Sequence, residues 1–252
     1  MKKVPARIAS LPIFVALLLG AGWAQAQSQA PRKSNSTPPT GGQQAAAPAR
    51  QSLLDPASLN QKAPASYTVR FATTQGPFIV EVTRAWASAG ADRFYNLVKN
   101  GYYTDASFFR VLPNFVVQFG ISAKPDVSRA WARATIPDDP VNQSNKPGYL
   151  TFATAGPNTR TTQIFINLGD NAALDAQGFA PFGQVTEGMD VVRKLYGGYG
   201  EGAPQGNGPD QGRIEAEGKP YLDKEFPKLD SIKSAVIVPA ATGSSGASTK
   251  PK

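Results

Sequence analysis

The stretch "SFFRVLPNFVVQFG", residues 107–120, places one arginine and one glutamine inside an almost wholly apolar run. Leu112-Pro113-Asn114 is a turn signal, so the stretch reads as two short strands joined there. Side chains alternate between the two faces of a strand, which puts Arg110 on one face with Phe108 and Leu112, and Gln118 on one face with Val116. Arginine is seldom buried without a partner. Taken alone, such an arginine ordinarily snorkels to solvent or pairs with a carboxylate.

Outward from this stretch the pattern continues. "YTVRFAT" and "GPFIVEVT" alternate apolar and polar residues about the turn "TTQG", as a hairpin with one buried face requires. "AGADRFYNLVKNGYY" brings Phe94, Leu97 and Val98 to one helical face, with Asp92 expected in the first turn and Gly101 as the C-terminal stop. Further strand-like runs, "GYLTFAT", "TQIFINL", "FAPFGQV" and "IKSAVIV", are separated by Pro, Gly and Asn, and a second amphipathic helix is expected over 187–195. Many short strands with two helices predict a mainly β, antiparallel barrel or sandwich.

The ends differ from the middle. "MKKVPARIASLPIFVALLLGAGWAQA" has the basic start, short apolar run and small-residue exit of a secretory signal peptide, so residues 1–26 are expected to be cleaved after Ala26 and the protein to be periplasmic or secreted. The apolar run is shorter than the roughly 20 residues that span a bilayer. Residues 27–65, rich in Pro, Gln, Ala and Ser and without aromatics, read as a disordered linker, with Leu53 and Leu54 a minor apolar interruption. Residues 239–252 read as a flexible tail, leaving 66–238 as the folded domain.

Composition narrows the chemistry. Of 252 residues, 41% are hydrophobic and 17% charged, enough for one sizeable core. The chain contains no cysteine and no histidine, which excludes disulfides, thiolate metal sites, cysteine nucleophiles and every histidine-based triad. The net charge is +8, and Lys2, Lys3 and Arg7 supply three of those charges, leaving +5 beyond Ala26. That moderate excess does not by itself indicate nucleic acid. The Gly-rich segment 197–218 lacks the spacing of a phosphate-binding loop and reads as a surface loop, and Asp138-Asp139 reads as a pair of solvated loop carboxylates.

Three ordered motifs carry a resemblance. F-x-R-V-x-P-x-F-x-x-Q-x-G is matched by Phe108, Arg110, Val111, Pro113, Phe115, Gln118 and Gly120. A-x-A-G-P-N-T followed by Q-x-F-I is matched by Ala153, Ala155, Gly156, Pro157, Asn158, Thr159, Gln163, Phe165 and Ile166, and a later L-D, F-G-x-V-x-x-G-M run by Leu174, Asp175, Phe182, Gly183, Val185, Gly188 and Met189. Together they resemble the cyclophilin family of peptidyl-prolyl cis-trans isomerases, and with the export-type start an exported bacterial member is expected.

The resemblance implies an eight-stranded antiparallel β-barrel capped by two α-helices, acting without cofactor or metal. It implies that Arg110 is the catalytic arginine, assisted by Gln118. It also implies that Phe115, Val116, Phe165 and Leu174 form the proline pocket, with Phe179 at its rim, and that Ala153, Thr154 and Ala155 line the peptide. The expected partners are proline-containing unfolded or exported polypeptides, met by a monomer, with no nucleic acid and no lasting membrane span. A proline-peptide binding or chaperone module with little turnover is the alternative. Three positions depart from the family: Thr154 replaces its usual asparagine, Ala173 its tryptophan and Phe179 its histidine. The second change implies weak cyclosporin binding, and the third bears on turnover.

Overall fold

The computed structural model describes residues 53–238. The expected signal peptide, residues 27–52 of the expected linker and the tail 239–252 lie outside them. Alternation in the first hairpin is realised as β1 (Ser66–Thr73) and β2 (Pro77–Thr83), in which Tyr67, Val69, Phe71, Phe78, Val80 and Val82 all point inward. Antiparallel pairing sets Phe71 opposite Phe78, and their rings stack with centroids 4.6 Å apart.

Six further strands complete one antiparallel sheet: β3 (Arg110–Leu112), β4 (Val116–Phe119), β5 (Tyr149–Phe152), β6 (Ile164–Asn167), β7 (Pro181–Glu187) and β8 (Ile232–Val238). Their spatial order is β3-β4-β6-β5-β7-β2-β1-β8. The sheet curls into a half-barrel whose two edges meet just before β3 and β8. There Phe108 N donates to Asp230 O at 2.9 Å and Ile232 N donates to Ala106 O at 2.9 Å. The interior is filled by Phe71, Phe78, Phe108, Phe119, Phe152 and Phe182, each almost fully buried. At about 1.5 to 3 kcal/mol per large apolar side chain, this layer is the main source of stability.

The two expected helices are α1 (Ser88–Lys99), which buries Phe94, Leu97 and Val98, and α3 (Met189–Arg193). Gly101 follows α1 with φ +72°, the left-handed conformation expected of its C-terminal stop. Asp92 lies beyond the first turn, where it forms a bidentate pair with Arg84. The N-terminal amides of α1 are instead met from a distance: Ala89 N and Gly90 N donate to the two carboxylate oxygens of Asp139, each at 2.9 Å. Asp139 also pairs with Arg160 at 3.1 Å, their side chains being 5% and 4% exposed. The sequence reading of Asp139 as solvated is thus corrected; Asp138 is the exposed member, 3.4 Å from Arg160.

Three helices were not expected: α2 (Pro125–Trp131), α4 (Gln211–Glu217) and α5 (Lys219–Glu225). The end of the Gly-rich segment, expected as a surface loop, is thus a packed element: α4 ends it and α5 follows directly. Ile214, Tyr221 and Leu222 bury against Phe109 and Ile121 in a second apolar cluster, and Asp210 caps α4 by accepting from Arg213 N at 2.8 Å.

Residues 53–65 also differ from expectation, because they pack on the domain. Leu53 is buried and its carbonyl accepts from Trp131 Nε1 at 2.9 Å. Gln61 exchanges backbone hydrogen bonds with the Asn96 side chain, and Ala63 N donates to Asp92. Helix side chains satisfy this backbone, so the segment is held without aromatic residues of its own. Among the described residues, no helix is long and apolar enough to cross a membrane.

Candidate active site

The β3–β4 turn sets the site. Pro113 and Asn114 occupy its central positions, Asn114 at φ +63°, and Phe115 N closes it by donating to Leu112 O at 3.0 Å. Beyond the turn the strand period of two divides β4: Val117 and Phe119 enter the barrel core, whereas Val116 and Gln118 face outward. On β6, Ile164 and Ile166 point inward and Phe165 outward. Register then aligns Arg110 with Gln118, Gln118 with Phe165, and Phe165 with Thr151 across four strands.

Arg110 is held at three of its five N–H groups. Nε donates to Glu201 Oε1 at 2.5 Å, Nη2 to Glu201 Oε2 at 2.7 Å, and Nη1 to Gln118 Oε1 at 3.2 Å. One hydrogen on Nη1 and one on Nη2 therefore remain. Gln118 in turn donates from Nε2 to Gln163 Oε1 at 2.9 Å. The guanidinium carbon lies 5.7 Å from the centre of the Phe115 ring. The Arg110 side chain is 14% exposed and that of Glu201 38%. Burial works against ionisation of Glu201, yet the hydrogen bonds and charge of Arg110, with the Gly202 N–H, hold its carboxyl below the usual range. The carboxylate partner anticipated for an ordinary strand arginine is present, on a residue 91 positions away.

Beside the guanidinium, Val116, Phe165, Leu174 and Phe179 form an apolar cluster separate from the barrel core, with Phe115 and Ala153 packed against it. Phe179 meets Phe165 edge to face at 5.7 Å and is 7% exposed, so it is packed within this cluster. A polar network runs beneath. Asn171 Nδ2 donates to Phe115 O at 2.9 Å and to Asn167 Oδ1 at 2.7 Å, and Asn167 Nδ2 donates to Asn145 Oδ1 at 3.2 Å. Asn145 Nδ2 donates to Asp175 Oδ1 at 2.7 Å and to Phe179 O at 2.8 Å. Against the opposing effect of burial, hydrogen bonds from Ser144 and Asn145 hold the Asp175 carboxyl below its usual range.

The structure thus brings together Arg110, Gln118, Phe115, Val116, Ala153, Phe165, Leu174 and Phe179. Thr154 and Ala155 lie on the adjoining loop, where they hold local structure: the Thr154 hydroxyl bonds to Gly156 and Thr159, and Ala155 N donates to Thr159 Oγ1 at 2.9 Å. Ala173 is exposed on the 3₁₀ turn that carries Leu174. Sequence reasoning missed Glu201, Asn145, Asn167 and Asn171. Gln163, noted only as a motif position, also borders a small cavity with Ile121, Trp131, Thr162 and Glu215. There burial, reinforced by Asp210, pushes the Glu215 carboxyl up. The arrangement leaves two cationic N–H donors on a guanidinium beside an apolar cluster, suited to a ring whose attached amide is to be polarised.

Known proteins share this chain's sequence pattern and fold. Residues 68–215 match the family model described as cyclophilin type peptidyl-prolyl cis-trans isomerase/CLD. A peptidyl-prolyl cis-trans isomerase of Acinetobacter baylyi is 36% identical over 137 residues, which cover 52% of this chain and 72% of that protein. One from Streptomyces antibioticus is 33% identical over 139 residues, 52% of this chain and 83% of that protein. In fold, the chain resembles the crystal structure of a Cryptosporidium parvum cyclophilin type peptidyl-prolyl cis-trans isomerase, with a TM-score of 0.52 and 20% identity over 69% of this chain and 99% of that one. The family model spans more than half of the 252 residues, and the chain belongs to the cyclophilin-type peptidyl-prolyl cis-trans isomerases, enzymes that interconvert the two forms of X-Pro bonds.

Proposed function

We propose that Arg110 lowers the barrier to X-Pro rotation by donating a hydrogen bond to the prolyl nitrogen in the twisted state. The planar amide resists rotation by about 18 to 20 kcal/mol because nitrogen shares its lone pair with the carbonyl. Twisting returns that pair to nitrogen, where an N–H donor can bind it. The donor stabilises the twisted state more than the planar one, which is the condition for catalysis. The observation that carries this reading is the guanidinium beside the Phe115–Phe165–Phe179 groove, with one hydrogen left on each of Nη1 and Nη2. Gln118 holds the Nη1 side, and the groove takes the proline ring.

The substrates in this reading are unfolded or newly exported polypeptides outside the cytoplasm, where X-Pro exchange over tens to hundreds of seconds limits folding. The basic, apolar, Ala-Gln-Ala start of the chain supports export. Mass spectrometry of the protein from its native envelope should find an N-terminus at Gln27; an intact Met1 on all molecules would remove that support.

The mechanism is tested by NMR exchange on an Ala-Pro peptide. Arg110→Ala should lose about 2 to 4 kcal/mol of transition-state stabilisation, as when a preorganised donor is removed. Equal rates for the variant and the wild type would refute the mechanism. A proline-peptide binding module is the competing reading, favoured by Phe179, which brings no donor to the position where the family resemblance implies histidine. Peptide binding without acceleration in the wild type would select it.

A further inference from the structure

The Gly-rich insertion is built around the residue that grips the catalytic guanidinium. Glu201 O accepts from Gly208 N at 2.8 Å, Glu201 Oε1 accepts from Gly202 N at 3.0 Å, and Gly202 and Gly208 form a bridge across the loop. A Cβ at Gly206 would stand 2.4 Å from Glu201 O, and one at Gly208 2.7 Å from it. The two glycines therefore let the loop close on the Glu201 backbone. Behind the loop, α4 and α5 pack on Phe109, the residue next to Arg110, so the insertion and the residue leading into β3 share one cluster.

The bidentate contact engages the Nε/Nη2 edge of Arg110, and Gln118 engages Nη1. Two anchors on opposite sides fix both the plane of the guanidinium and its rotation within that plane, and they leave the remaining Nη1 and Nη2 hydrogens unspent. Parallel N–H···O pairs to a carboxylate are short, strong and geometrically specific. We infer that Glu201 is a positioning residue for the isomerase reaction, the acidic anchor that the insertion supplies to aim Arg110 at the prolyl nitrogen.

This inference rests on the reading of Arg110 as the donor. The alternative is a gate: a carboxylate that occupies the guanidinium until substrate displaces it. A loop fastened at both the backbone and the side chain of Glu201 favours an anchor over a gate.

The test compares full-chain wild type, Glu201→Gln, Glu201→Ala and Arg110→Ala by NMR exchange on an Ala-Pro peptide, with peptide affinity titrated separately and melting followed in parallel. Glu201→Gln keeps the shape but loses the charge and one acceptor. Its exchange rate at saturation should fall about tenfold, with peptide affinity changed less than about twofold, as expected for an interaction realised in the transition state, and with melting lowered only slightly, the protein staying folded at the assay temperature; Glu201→Ala should fall further. Arg110 on β3 and the Gly202 amide are the groups that the carboxylate meets. Wild-type turnover should therefore decline in acid as Glu201 takes up a proton, and Glu201→Gln should lack that decline.

An unchanged rate in Glu201→Gln overturns the inference while leaving the Arg110 mechanism standing, provided Arg110→Ala shows its expected loss. A raised rate overturns it in favour of the gate. A loss that merely tracks lower melting overturns it in favour of a structural role. An Arg110→Ala that exchanges the peptide as fast as wild type defeats the mechanism and the inference together.

Discussion

Asn145→Ala is the substitution whose cost the structure defines best. The Asn145 side chain is 0% exposed and takes part in four hydrogen bonds. It donates to Asp175 Oδ1 at 2.7 Å and Phe179 O at 2.8 Å, and accepts from Thr151 Oγ1 at 2.8 Å and Asn167 Nδ2 at 3.2 Å. Asp175 keeps the Asn145 backbone N–H at 2.9 Å, so its loss is partial. The Thr151 hydroxyl and the Phe179 carbonyl are left without this partner in a buried setting. At about 1 kcal/mol net for each neutral bond and more for the charged one, the variant should lose about 3 to 5 kcal/mol. A domain is stable by only about 5 to 15 kcal/mol, so this is a large fraction.

With a urea m-value of about 2 kcal/mol/M, the midpoint should fall by about 1.5 to 2.5 M. Tryptophan fluorescence reports it, because Trp131 is buried and Trp86 stacks on Tyr149. Peptide affinity should fall as well, since the network holds the Phe115 and Phe179 carbonyls of the groove. A loss below about 1 kcal/mol with an unchanged m-value would show that the network does not hold the site.

Asp139→Ala removes both the distant cap of α1 and the partner of buried Arg160. It should cost about 3 to 5 kcal/mol, toward the lower end because Asp138 remains 3.4 Å from Arg160. Adding Arg160→Met should recover part of that loss in urea unfolding; no recovery would contradict the stranded-charge account. In acid, burial disfavours ionisation at Asp92, Asp175 and Glu201 alike, but Arg84 and Ala63 N, then Ser144 and Asn145, then Arg110 outweigh it and lower the three values. A carboxyl lowered in the folded state contributes stability that is complete above its unfolded value and disappears as pH falls through the folded one. The urea midpoint at constant ionic strength should therefore drop below pH 4 or so, and Asp92→Asn should show a smaller drop.

Much of the fold was legible because the strands are amphipathic on a period of two. The same rule separates Val117 and Phe119 from Val116 and Gln118, and so separates core from groove within four residues. The motifs added Arg110 and the groove residues. What escaped notice were partners chosen at long range. Asp139 carried no local sign that it would cap a helix some 50 positions earlier. Nor did the alanine- and proline-rich stretch before Ser66 announce that Asn96 and Trp131 would hold it.

Glu201 is the clearest case. In sequence it is a lone carboxylate among glycines, indistinguishable from a solvated loop residue, and only the folded chain brings it to 2.5 Å from Arg110. By itself the sequence determined most faces of strands and helices, though not that of Phe108, which lies before β3 and enters the core instead of sharing a face with Arg110, along with the exclusion of cysteine and histidine chemistry and the resemblance that singled out an arginine beside apolar residues. The tertiary structure decided what orients that arginine and what supports the groove from beneath. The physical reason is that periodicity is set by each residue's near neighbours along the chain, whereas a buried charge or amide takes whichever partner the closed sheet carries within about 3 Å of it.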